Sequence, residues 1–207
     1  MGLISNGSTL FDSGSLDASV ATGSLTHIKT LTASNSSTLS FVNGASSVVL
    51  DNTYKEYVFK FYDIHPSNAS TRFQFNGSAD TGSNYNVSKQ TSVFICANME
   101  TATDNSFSYQ PGDDLANGTG FQDLAAFGDA NDDNDASLVG TLQLFDIANT
   151  TFVKHFIART NYMTTGPYPV DTHTAGYFNT TSALDAFQFK FTSNNIAAGT
   201  IKLYGVK

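Results

Sequence analysis

Tryptophan is absent from this 207-residue chain, cysteine occurs once, and glutamate occurs only as Glu56 and Glu100. Each shortage closes off a class of function. One thiol excludes a disulfide within the chain, and the apolar setting of Cys96 in SVFICANM reads as an inert core thiol rather than a nucleophile. Two glutamates supply few of the paired carboxylates that glycosidases place across a scissile bond, and no spacing of aspartates singles out a substitute pair. Lys and Arg number 10 against 18 Asp and Glu, for a formal net charge of -8. The basic residues are dispersed, so no nucleic-acid partner is expected. No stretch approaches the roughly 20 apolar residues of a membrane span. The opening MGLISNGSTLF lacks the basic start and apolar run of a secretion signal. His27, His65, His155 and His173 are scattered, outside any close metal spacing, and read as strand or turn residues. With neither a G-x-S-x-G elbow nor a phosphate-binding glycine loop, the chain is expected not to be an enzyme.

What is present is a succession of short apolar runs separated by Asn, Ser, Thr, Gly and Asp. In YKEYVFKFYDIHP, residues 54 to 66, Tyr57, Phe59 and Phe61 fall on one face of a period-two pattern and Val58, Lys60, Tyr62 and Ile64 on the other. Both faces carry large apolar groups, as in a central strand. Pro66 has no N–H for a ladder, so pairing should end there. Similar runs follow at 38–42, 46–50, 72–75, 92–97, 138–147, 151–160, 186–192 and 200–206. Their spacing predicts an all-β fold, a single antiparallel β-sandwich of the jelly-roll kind over residues 25–207. FQDLAAFG at 121–128 suits one or two helical turns. Residues 1–24, rich in Ser and Gly, read as an extended N-terminal arm. Two segments, 98–137 and the aromatic-rich 161–178, read as loops offered outward.

Two groups of side chains are candidates for binding. In DANDDND, Asp129, Asn131, Asp133 and Asp135 put oxygen ligands on alternating residues, the pattern that turns toward a hard cation such as Ca²⁺. The pattern is incomplete: the EF-hand loop's glycine and final glutamate positions hold Asn134 and Gly140. Apart from that Ca²⁺ no cofactor is expected. Tyr162, Tyr168 and Tyr177 lie in a stretch stiffened by Gly166, Pro167 and Pro169, and aromatic rings beside Asn and Asp are the means by which β-sandwiches hold sugars. A free carbohydrate-binding module or lectin is therefore the alternative function.

The strand phrases LTASNSSTLSFVNG, LDNTYKEYVFKFYDIHPSNASTRFQFNGS and GTLQLFDIANTTFVKHFIART, with the chain end GTIKLYGVK, resemble small β-rich virion proteins of marine tailed bacteriophages, of tail-fibre or capsid-decoration type. The resemblance covers most of residues 25–207 and carries no catalytic motif. It implies a structural part of the particle, assembled in the host bacterial cytoplasm, that self-associates as a homotrimer. The resemblance further implies docking on other virion proteins through the arm, and contact with a host glycan. Heptads and collagen-like repeats are lacking, which favours a short knob, a fibre tip or a capsid decoration over a long shaft.

Overall fold

In the computed structural model, residues 24–101, 104–166 and 168–207 are described in full. Of residues 1–23 only three backbone segments are described. These are β1 (Leu3–Ser5), β2 (Ser8–Asp12) and β3 (Ser15–Leu16), paired with one another. The rest of the arm expected over 1–24 lies outside the described residues.

The strands that follow are β4 (Leu25–Thr32), β5 (Leu39–Val42), β6 (Glu56–Pro66), β7 (Phe73–Ser78) and β8 (Lys89–Asn98). Next come β9 (Asn105–Tyr109), β10 (Ala116–Gly118), β11 (Gln122–Asp123) and β12 (Leu138–Phe145). The chain closes with β13 (Lys154–Met163), β14 (Pro169–Phe178), β15 (Ala186–Phe191) and β16 (Ile196–Val206). The pairings of β4 to β16 are antiparallel and form two packed sheets of unequal width, separate from the β1-β2-β3 sheet. The wide sheet runs β10-β8-β14-β13-β12-β6-β16-β4, with β9 also on β8, and the narrow one runs β11-β7-β15-β5. The fold is thus the expected all-β sandwich. No helix among the described residues is long and apolar enough to cross a membrane.

Period-two burial explains the layering. Along β13, Phe156, Ala158, Thr160 and Tyr162 are buried while His155, Ile157, Arg159 and Asn161 are exposed. The core is a phenylalanine lattice: Phe59 and Phe61 of β6, Phe73 and Phe75 of β7, Phe156 of β13 and Phe189 of β15 are all nearly or fully buried. Most contacts between them are edge to face, the arrangement that ring quadrupoles favour.

Several sequence expectations need correction. Residues 46–50 are not a strand. Ser46 and Ser47 take positive φ, and Leu50 N–H donates to Asn43 Oδ1 at 2.9 Å, so Val48 and Leu50 reach the core from a turn. Ile64 belongs to the inner face of β6, because the ladder with β12 slips and Asp63 sits at φ 50°, reversing the alternation. Gly199, at φ 118°, faces this bulge, where a Cβ would meet Asp63 O at 2.6 Å. Segment 121–128 makes no helix. Gln122–Asp123 pair with β7, and Leu124, Ala125 and Ala126 are buried, with Thr160 Oγ1 of β13 donating to Leu124 O. The part of the wide sheet that the narrow one leaves uncovered is thereby roofed by a stretch read as outward loop. Segment 161–178 is mostly the β13–β14 hairpin. Cys96 is exposed, because Val93, Ile95 and Ala97 take the inward positions of β8.

Candidate functional site

The outer face of the wide sheet, over β8, β9, β13 and β14, carries four of the eight large apolar side chains exposed among the described residues: Phe94, Phe107, Tyr109 and Ile157. Cross-strand register puts Tyr109, Phe94, His173 and Arg159 in one row and Phe107, Cys96, Asp171 and Asn161 in the next. Phe107 is 76% exposed and Ile157 51%. His173 lies flat on Phe94 at 4.7 Å between centroids, and Phe107 meets Phe94 edge-on at 5.8 Å. Arg159 grips Asp171 with two nitrogens, at 2.9 Å from Nε and 2.7 Å from Nη2. That hydrogen bonding holds the Asp171 carboxyl below its ordinary value.

Beside these rows lies an open trough of about 730 Å³. Its floor is low because Ser92 and Ala175, paired across β8 and β14, carry small side chains, while Tyr109, Tyr177, His155, Ile157 and Phe145 rise around it. Gly176, on the inner face between Phe156 and Thr91, lets β14 approach β8: a Cβ would strike Gln90 O and come within 3.0 Å of Thr91 Cα. Tyr177 and His155 stand edge to face at 5.7 Å. A second hollow of about 620 Å³ shares Phe145 and His155 and ends at Phe152. Together they make a groove with aromatic walls. It is open to solvent, which suits surface recognition rather than chemistry that needs water excluded.

The three tyrosines do not form one site. Tyr177 lines the trough. Tyr162, two per cent exposed, points into the core, where its hydroxyl donates to Phe127 O at 2.6 Å and accepts from Phe127 N–H at 2.9 Å. Burial pushes that phenol up to about 12. Tyr168 packs edge-on against Phe127, and its hydroxyl donates to Asp104 at 3.3 Å.

Nor do the four acidic-loop residues converge. Asp129 faces Arg72 Nε at 3.7 Å, Asn131 Nδ2 donates to Asp133 at 2.8 Å, and Asp135 lines a separate hollow with His65. Among the described residues no group of three His, Cys, Asp or Glu is placed to hold a metal ion.

Sequence reasoning missed the charged cluster around Arg72, at the entry to β7. Arg72 pairs with Asp113 and, at 3.2 Å, with Asp123, tying a distant turn and the edge strand β11 to the start of β7. Burial raises both carboxyls above their ordinary value, with Arg72 opposing. The arrangement is a clamp: Gln74 also donates to Asp123, and Gln122 Nε2 donates to Asp113 O at 2.9 Å. Nothing in the local sequence marks these partners, which lie 41 and 51 positions from Arg72. Comparison with family models, with curated proteins and with solved structures gave no match to this chain.

Proposed function

We propose that this protein is a non-enzymatic structural component of a tailed-phage particle, of the knob, fibre-tip or capsid-decorating kind, which works by self-association and surface contact. The observation that carries the self-association is the apolar band of Phe94, Phe107, Tyr109 and Ile157 on the outer face of the wide sheet. A face of this kind calls for a covering partner, and a second and third copy of the chain supply one. The assignment to a virion rests on the likeness of the strand phrases to such proteins. The test is the solution mass by light scattering, together with antibody labelling of tailed particles. A mass near three times 22.1 kDa and labelled particles are expected; a monomer that never accompanies particles overturns the reading.

A second reading, a free carbohydrate-binding module, draws on the trough walled by Tyr109, Tyr177 and His155. Its discriminating result is glycan binding by the isolated monomer that is lost in Tyr177→Ala.

A further inference from the structure

Lys89 opens β8 of the wide sheet, and Asn76 lies in β7 of the narrow one. Both are fully buried. Lys89 Nζ lies 2.7 Å from Asn76 Oδ1, and its other hydrogen-bond acceptor is Val87 O at 3.1 Å. The ring of Phe178 lies under the amine, 5.4 Å from its centroid. Among the described residues no carboxylate is within ion-pairing reach of this lysine, so its charge has no counterion. Burial accordingly lowers its pKa to about 7, and a large share of the amine is neutral and nucleophilic at physiological pH.

The amide opposite is held in one orientation. Asn76 Nδ2 points at three backbone carbonyls, Tyr85 O at 2.7 Å, Thr119 O at 3.0 Å and Gly120 O at 3.2 Å. Its Oδ1 accepts the N–H of Gly77 at 2.8 Å as well as the lysine. Nitrogen toward acceptors and oxygen toward donors is the only flip that satisfies all of them. Gly77 allows the close fit: a Cβ there would come within 3.0 Å of the Phe178 ring and 3.2 Å of Phe187.

We infer that Lys89 and Asn76 join in an intramolecular amide bond that ties the two sheets together covalently. The neutral Lys89 amine adds to Asn76 Cγ, forming the new C–N bond, and the carbonyl electron pair moves onto Oδ1, where the Gly77 N–H stabilises it. A proton passes from the lysine nitrogen to the amide nitrogen, which sits among the three carbonyls that accept its hydrogens. The old C–N bond then breaks, the C=O re-forms, and ammonia leaves carrying the one proton lost by the amine, so that the new amide keeps a single N–H. No oxidant or reductant is needed. The fold contributes proximity in a dry site, which is worth several orders of magnitude in effective concentration. Lys154 provides an internal contrast: its side chain is also buried, but its amine donates to Phe152 O at 2.8 Å and Thr180 O at 3.3 Å and feels the Asp146 carboxylate, with no side-chain amide to attack.

The test is mass spectrometry of the purified full-length chain, intact and after denaturation and trypsin digestion. The expected result is a mass lower than the sequence mass by one ammonia, with cleavage after Lys154 and none after Lys89. A full sequence mass with cleavage after Lys89 overturns the inference. So does loss of ammonia with Lys89 still cleaved, since Asn76–Gly77 closing on itself as a succinimide would give that pattern. Lys89→Arg should restore the full mass and Lys154→Arg should leave the loss in place. The wild-type chain decides by itself should Lys89→Arg not fold.

Discussion

The ring of Phe59 in β6 meets that of Phe189 in β15 at 5.0 Å and 64°, edge to face across the space between the two sheets. Phe59 also touches Phe41 and Phe187, so one side chain of the wide sheet joins three strand positions of the narrow one. Phe59→Ala should therefore cost on the order of 3–5 kcal/mol, the range for emptying a buried aromatic site. Denaturant unfolding is the check; an unchanged midpoint would show that the two layers are not held through this lattice.

Removing the cation from the clamp should leave two partly buried carboxylates without it. Arg72→Met should destabilise by about 3 kcal/mol, the low end for breaking a buried pair, because roughly a third of the Arg72 side chain is open to solvent. The sign of the pH effect follows from the raised pKa of Asp113 and Asp123. A carboxyl raised in the folded state binds more protons there than in the unfolded chain, so stability falls as pH rises through the carboxylate range. Without Arg72 the pKa values rise further. The variant's deficit should be largest at neutral pH and shrink on acidification, and unfolding measured across that range checks it.

Tyr162 sits in the core rather than the groove. Tyr162→Phe keeps the ring but leaves Phe127 N–H and O without their partner, at a cost of about 1–3 kcal/mol. Thermal unfolding should register that loss, while any glycan binding at the Tyr177 side of the sheet should be unaffected.

The double change Phe107→Ser with Ile157→Ser removes exposed rather than packed apolar groups. It should leave circular dichroism unchanged and lower the solution mass toward that of one chain. Cys96, on the same face, gives a second readout. Its thiol should react slowly with a disulfide reagent in the assembled wild type and quickly in the double variant. Equal rates and equal masses would place the contact between copies elsewhere.

Part of the candidate site could be read in advance. Tyr177 follows from the aromatic text of its segment and lines the trough. The trough itself does not, because it depends on Ser92 and Ala175 lying side by side on neighbouring strands, and it is made by what those residues lack. Cys96 shows the same limit: apolar neighbours in sequence suggest burial, but alternation sends adjacent residues to opposite faces, and the inward set is Val93, Ile95 and Ala97.

The sequence by itself determined that the chain is built of strands, roughly where most of them run, and that Tyr57, Phe59 and Phe61 face a core. Those facts follow from the period-two geometry of extended backbone, which is local. The tertiary structure alone decided the unequal widths of the sheets, the roofing by Leu124 to Ala126, the inward turn of Ile64, and the partners of Arg72 and Lys89. Each of these depends on strand order and register, which bring together groups far apart in the chain or on opposite sheets, and a linear pattern of hydrophobicity carries no record of such distances.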